Sequence, residues 1–129
     1  MSLRSPLSRV EGLGSAKDGT KHWWAQRVTA VALIPLTLWF LISLLTLPGL
    51  NYETVHTWLS VPITGFLAVL LVAVLTYHSY LGTQVIVEDY VTSNGMKILS
   101  LMVLRFLYVL AGGAGIFAVL RVAFGFPQL

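Results

Sequence analysis

The chain has 129 residues, of which 57% are apolar and only 10% are charged, and its mean hydropathy is +0.82. Soluble domains carry about 25% charged residues, so this composition excludes a water-soluble fold. The absence of cysteine excludes disulfides, iron–sulfur clusters and thiolate metal sites on this chain. The net charge of +3 does not indicate nucleic-acid binding, because five of the eight basic residues lie before the first apolar segment or in its first turn. We therefore expect a small integral membrane protein.

The first 22 residues mix glycine, serine, proline and charge without an apolar period, and they predict an irregular tail. They lack the short apolar stretch and the small-residue cleavage site of a secretory signal peptide. The predicted domain organisation is therefore a cytoplasmic N-terminal tail, residues 1–22, followed by a membrane-anchor domain, residues 23–129.

Three apolar segments follow the tail with at most one charged residue each, and each is long enough to cross a bilayer as a helix of about 20 residues. The predicted spans are residues 24–47, 61–87 and 98–120. Pro35 lies inside the first span and is expected to bend it. Asn94 and Gly95 suit left-handed backbone angles and predict a turn before the third span. The fold class is an all-α membrane protein with three transmembrane helices.

The third span contains the run AGGAG, residues 111–115, which provides a helix face that a neighbouring backbone can approach closely. The charges predict the orientation of the three helices. The tail, the start of the first span with Arg27, and the second connection carry six basic residues, and the other side carries one, Arg121. Because basic residues favour the cytoplasmic side, we expect a cytoplasmic N-terminus and a C-terminus on the opposite side.

Polar side chains inside a bilayer are costly and often functional, and His78 is the foremost of them here. It lies ten residues before Glu88, about 15 Å along a helix, and therefore within the hydrocarbon layer. A neutral imidazole at this depth hydrogen-bonds a neighbouring helix or ligates a metal, most naturally a haem iron. The residues alone leave both interpretations open.

A single histidine cannot complete a six-coordinate haem. His56 lies 22 residues before His78, about 33 Å along a helix, and His22 precedes the first span. A haem at His78 would therefore take its second axial ligand from another chain. This requirement predicts an obligatory hetero-oligomer.

A stripe of polar and small residues continues from His78 toward the end of the second span. Gly82 and Asp89 follow His78 by four and eleven residues, which places all three near one helix face. A glycine one turn from the ligand would leave room for a flat macrocycle. At the end of the span, Tyr90 can hydrogen-bond a ligand carbonyl and Asp89 can relay protons. Both are also ordinary residues for a membrane interface.

Two arginines lie near the predicted cytoplasmic face. Arg27 is predicted at the same depth as Asp89 and Tyr90, where it can bind a haem propionate or a phospholipid headgroup. Arg105 lies eight residues after Lys97. We expect Arg105 to extend its charge back to the interface and to have a structural role.

These residues resemble those of a known family. The order EGLGSAKDGTKHWWAQRVTAVALIPL, then HSYLGTQVIVEDYV, then a third span rich in small residues is similar to the smaller hydrophobic membrane-anchor subunits of succinate dehydrogenase, respiratory complex II. The pairing of QRVTA at the first span with H-x-x-x-G-x-x-x-x-x-x-D-Y at the second carries the resemblance. It covers nearly the whole chain and points to the proteobacterial and mitochondrial type.

The resemblance implies an anchor that binds a second three-helix subunit of the cytochrome b type and tethers the flavoprotein and iron–sulfur subunits to the membrane. Electrons from succinate would pass through flavin and iron–sulfur clusters, which belong to those partners, to ubiquinone. The chain would be a non-catalytic subunit of the enzyme, without a complete active site. Its expected location is the bacterial inner membrane, or the mitochondrial inner membrane if the source is eukaryotic.

The resemblance also implies roles for individual residues. His78 would supply one axial ligand to the iron of a haem b shared with the partner anchor. Tyr90 would line the ubiquinone site and hydrogen-bond a quinone carbonyl, with Asp89 beside it as a candidate for proton supply. Arg27 matches the arginine that opens the first helix near the haem propionates.

Two alternative functions stay open at this point. One is the anchor of a quinol:fumarate reductase, which runs the same chemistry in reverse. The other is a small membrane scaffold or assembly protein without a cofactor, in which His78 only hydrogen-bonds a neighbouring helix.

Overall fold

The computed structural model of the chain describes residues 15–125. This part of the chain forms four helices: α1 (Ser15–Thr46), α2 (Tyr52–Ser60), α3 (Pro62–Tyr90) and α4 (Asn94–Ala123). Three of them, α1, α3 and α4, have the length and apolar composition needed to cross a membrane. The predicted all-α membrane fold with three spanning helices is therefore confirmed.

Helix α1 begins earlier than predicted and continues through Pro35. Residues 15–22, which the sequence predicted as irregular, are its first turns, whereas residues 1–14 lie outside the described residues. Extension of an existing helix adds about one hydrogen bond for each residue that is fixed. No proline lies between Pro6 and Pro35 to stop this extension.

A short helix, α2, occupies the first connection, for which the sequence analysis predicted no helix. The side chain of Asn51 caps it by accepting a hydrogen bond from the backbone N–H of Thr54 at 2.9 Å. Pro62 then opens α3, where its missing N–H has no cost. At the other end of α2, the Ser60 hydroxyl donates to the carbonyl of Ala123 at 2.9 Å, so α2 covers the end of α4.

The turn between α3 and α4 is shorter than predicted and consists of residues 91–93. Ser93, in extended conformation, is the N-cap of α4, so Asn94 and Gly95 form the first helical turn. Among the described residues, positive φ occurs only at Gly125. The prediction of left-handed angles at positions 94 and 95 is therefore wrong, because the chain reverses direction before it reaches them.

Helix α3 is the centre of the bundle. It packs against α1 on one side and against α4 on another, whereas α1 and α4 make no backbone approach to each other in the described part of the chain. Gly112 of α4 is buried against α3, and a Cβ there would lie 2.9 Å from Thr76 Cγ2. A Cβ on Gly115 would lie 2.8 Å from Val72 Cγ1. The AGGAG run therefore provides the predicted face for close approach.

The two ends of the bundle carry different side chains. The first, called the Tyr90 end, contains the start of α1, the end of α3 and the start of α4. At the opposite end, called the Trp58 end, Trp58 of α2 stacks on Trp39 of α1 with ring centroids 5.8 Å apart. Between the ends most large apolar side chains are exposed, as Val109 in the middle of α4 is at 66%. A surface of this kind requires a bilayer or neighbouring helices to cover it.

Candidate functional site

His78 lies on α3 and faces α1. Its Nδ1 is 2.9 Å from Oγ1 of Thr29 on α1, and the side chain is half-buried. Its Nε2 has no hydrogen-bond partner among the described residues. The contact between helices that a structural histidine would make is thus present, but it uses only one of the two ring nitrogens.

This arrangement fits a metal-ligating histidine, because such residues hold one ring nitrogen in a hydrogen bond and present the other to the metal. The described residues contain no group of three His, Asp or Glu side chains that could hold a metal ion together. Any metal at His78 would therefore take further ligands from outside this part of the chain. A haem, which occupies four iron positions itself, requires one more protein ligand.

The other two histidines lie away from His78. His56 is at the Trp58 end, where its ring stacks on Tyr52 and its Nδ1 donates to the carbonyl of Val122. His22 precedes Thr29 by seven residues, about 10 Å along α1 toward the Tyr90 end. The Nε2 of His22 is buried and has no hydrogen-bond partner within the part of the chain that the structure describes.

Gly82 faces α1. The nearest atom of another residue to the position that its Cβ would take is Nε2 of Gln26 on α1, at 3.6 Å. This is an ordinary van der Waals distance to the end of a flexible side chain. The room that Gly82 would leave for a macrocycle therefore stays a prediction.

Arg27 lies closer to the level of His78 than to that of Tyr90. It is two residues from Thr29, about 3 Å along α1, whereas Tyr90 is twelve residues from His78, about 18 Å along α3. The prediction of one common depth for Arg27 and Tyr90 is therefore wrong, because it was made without the register between the helices. The Arg27 guanidinium is exposed and lies 5.4 Å from the ring centroid of Trp23, a cation–π contact.

Asp89 and Tyr90 form the tip of α3, and both are exposed, Tyr90 to 82%. The neighbouring carboxylate, Glu88, has a partner on the same helix, because the Gln84 amide donates to its Oε1 at 2.8 Å. The carboxylate of Asp89 and the phenol of Tyr90 have no hydrogen-bond partner among the described residues. They are therefore available to a ligand or to another subunit.

A cleft between α1 and α4, closed at its back by α3, was not foreseen from the sequence. We call it the α1–α4 cleft; its volume is about 680 Å3. Arg105 lies on its wall and donates from Nε to the hydroxyl of Tyr80 at 3.4 Å. The ring of Tyr80 contacts that of Tyr108 at 5.9 Å. The sequence contains one indication of this cleft: Thr76, Tyr80 and Gln84 follow one another at intervals of four residues, which places their polar groups on one helix face.

Comparison with known proteins gives a consistent result. The family model for the succinate dehydrogenase/fumarate reductase transmembrane subunit matches residues 1–112. A succinate dehydrogenase hydrophobic membrane anchor subunit of Rickettsia bellii is 37% identical over 74% of this chain and 76% of its own length. That of Paracoccus denitrificans is 36% identical over 75% of each chain. The succinate dehydrogenase membrane anchor subunit of Reclinomonas americana is 30% identical over 69% of this chain and 77% of its own length.

No solved structure matches the chain, so the family rests on the sequence comparisons. They agree with the three apolar helices that can cross a membrane. Together they place the chain among multi-pass proteins of a bacterial-type inner membrane. The chain belongs to the family of succinate dehydrogenase/fumarate reductase transmembrane subunits, as a membrane anchor subunit of the succinate dehydrogenase type.

Proposed function

We propose that this anchor holds one side of a haem b through Nε2 of His78 and shares that haem with a second three-helix anchor subunit. The observation that carries the proposal is the difference between the two ring nitrogens of His78. Nδ1 is engaged by Thr29 at 2.9 Å, while Nε2 has no partner among the described residues. The haem would supply a one-electron redox centre between the helices, and the partner anchor would supply the second axial ligand.

Arg27 is the residue of this chain that we assign to the haem propionates. Its side chain is exposed. Arg27 precedes Thr29 by two residues, which is about 3 Å along α1. The guanidinium of Arg27 contacts the ring of Trp23 and donates no hydrogen bond among the described residues, so its N–H groups can bind a carboxylate in a bidentate manner. A phospholipid headgroup is the competing ligand for the same group.

The ubiquinone site is assigned to the Tyr90 end. The phenol of Tyr90 would donate a hydrogen bond to a quinone carbonyl, and Asp89 would deliver protons to the reduced quinone. Their exposure and lack of partners support this role. The flavoprotein and iron–sulfur subunits would dock at the same end, on the cytoplasmic side, and bring electrons from succinate to this position.

The test of the haem assignment is His78→Ala in the assembled complex, with His22→Ala as the matched control. We expect His78→Ala to lose the b-type band in the reduced-minus-oxidised spectrum, and His22→Ala to keep it. Succinate oxidation by an artificial dye reports assembly independently of the haem. A full b-type band in His78→Ala membranes would show that the ligand lies elsewhere.

A cofactor-free scaffold is the second candidate, because the hydrogen bond between His78 and Thr29 alone would satisfy a structural histidine. The two functions differ in one measurement. A purified complex of the wild-type chain and its partners without any b-type band would favour the scaffold. The direction of the reaction, succinate oxidation or fumarate reduction, follows from the activity of the same preparation with each substrate.

A further inference from the structure

The hydroxyl of Thr29 makes three close contacts, and together they determine which nitrogen of His78 carries the proton. Thr29 Oγ1 lies 2.7 Å from the carbonyl oxygen of Ala25 and 3.1 Å from that of Gln26. It lies 2.9 Å from Nδ1 of His78. Thr29 is on α1 and His78 on α3, so this hydroxyl links the two helices at the level of the proposed ligand.

The tautomer of His78 follows from the number of hydrogens available for these contacts. A threonine hydroxyl has one hydrogen and can accept further bonds, whereas a carbonyl oxygen only accepts. When the hydroxyl donates to Ala25, the nearer carbonyl, its lone pairs face His78, and Nδ1 must be the donor. Two hydrogen bonds then form, whereas a hydroxyl directed at Nδ1 would form one. The arrangement with more bonds protonates Nδ1 and leaves the lone pair on Nε2.

We propose that Thr29 is a positioning residue for the haem ligand: it fixes His78 as the Nδ1–H tautomer, orients the ring and tunes the basicity of Nε2. This inference rests on the proposed function and extends it to Thr29, to which the sequence analysis assigned no role. Thr29 lies two positions after Arg27 in the QRVTA segment. That segment would then bring both the propionate partner and the support of the axial ligand to one turn of α1.

A hydrogen bond from the second nitrogen raises the basicity of a metal-ligating imidazole, and its loss typically costs 10- to 100-fold in metal affinity. A more basic ligand favours the oxidised iron. Removal of the Thr29 hydroxyl should therefore move the haem midpoint potential to more positive values. It should also broaden or shift the low-spin ferric signal in electron paramagnetic resonance, since the ring would lose its fixed orientation.

The experiment uses the assembled complex with Thr29→Val and Thr29→Ala, which lack the hydroxyl, and Thr29→Ser, which keeps it. Thr46→Val is the matched control, because Thr46 is on the same helix and bonds the carbonyls of Ile42 and Ser43 at 3.1 and 2.9 Å without a histidine partner. We expect a positive potential shift in the first two variants, and wild-type behaviour in Thr29→Ser and Thr46→Val.

The outcomes separate this inference from the proposed function. Wild-type potential and ferric spectrum in Thr29→Val, in a complex whose haem is lost in His78→Ala, would overturn only the role of Thr29. A shift of the same size in Thr46→Val would also overturn it. Loss of dye-coupled succinate oxidation in both hydroxyl-free variants would show a folding role and contradict positioning. A haem that survives His78→Ala would remove the proposed function and this inference together.

Discussion

Tyr90 is the most exposed of the three tyrosines on α3, and it has no hydrogen-bond partner among the described residues. Its side chain is 82% exposed at the tip of the helix, whereas Tyr80 accepts a hydrogen bond from Arg105. A phenol without an internal partner contributes little to folding. Its substitution by phenylalanine should therefore report on a ligand rather than on stability.

Tyr90→Phe should lower quinone reductase activity and leave dye-coupled succinate oxidation unchanged. One hydroxyl that pairs with a buried acceptor contributes about 1 to 3 kcal/mol, which corresponds to a decrease in rate of about 5- to 160-fold. Tyr52→Phe is the control, since Tyr52 is also exposed but lies at the Trp58 end beside His56. Equal loss of both activities in Tyr90→Phe would indicate failed assembly and contradict a quinone contact.

The sequence identified His78, Tyr90, Asp89 and Arg27 as candidates because helix rise and hydrophobicity define depth along a single span. It could not identify Thr29, whose partner is 49 positions away on another helix. For the same reason it could not show that Gly82 faces Gln26 on α1. The position of a residue along its own helix follows from the local sequence, whereas its partner on another helix depends on how the helices pack.

At the element scale, the packing of α3 on α4 depends on Gly112 more than on Gly113. A Cβ on Gly112 would lie 2.9 Å from Cγ2 of Thr76, and Thr76 is held in place by a 2.7 Å hydrogen bond to the carbonyl of Val72. A Cβ on Gly113 would meet nothing within 4 Å. The two neighbouring glycines therefore form a matched pair.

Gly112→Ala should destabilise the complex relative to Gly113→Ala. Both substitutions gain about the same helix propensity, so that contribution cancels, and the difference is the cost of overpacking, about 1 to 3 kcal/mol. The measurement is the midpoint of thermal inactivation of the detergent-solubilised complex. Equal midpoints for the two variants would show that α3 and α4 separate easily at this contact.

The three spanning helices could be predicted from composition, but the residues at which the helices begin and end could not. Three apolar runs predicted three spanning helices, and α1, α3 and α4 are those helices. The helical start of α1 at Ser15 was missed because a polar segment without periodicity resembles a tail. The short helix α2 was missed because it is stabilised by a cap at Asn51 and by contacts to the end of α4, which lie far apart in the sequence.

At the scale of the whole molecule, the chain buries little of its own apolar surface. Helices α1 and α4 each contact α3 but not each other in the part that the structure describes, and the α1–α4 cleft lies between them. The small buried core consists of Leu36, Leu59, Ala68, Leu71 and Leu81. Neighbouring subunits and lipid must therefore complete the packing, which agrees with the proposed haem site, for which this chain would supply only one axial ligand.

The orientation of the whole molecule determines whether Tyr90 faces the compartment of the soluble subunits, and the absence of cysteine makes it directly testable. Single cysteines can be placed at Ser93, in the exposed turn after α3, and at Thr57, on the exposed side of α2. Because basic residues favour the cytoplasmic side, we expect a membrane-impermeant maleimide to label Thr57→Cys in intact spheroplasts and Ser93→Cys only after permeabilisation. The unmodified chain supplies the background. Labelling in the reverse pattern would place Tyr90 on the periplasmic side, away from the flavoprotein and iron–sulfur subunits, and would remove the proposed quinone site.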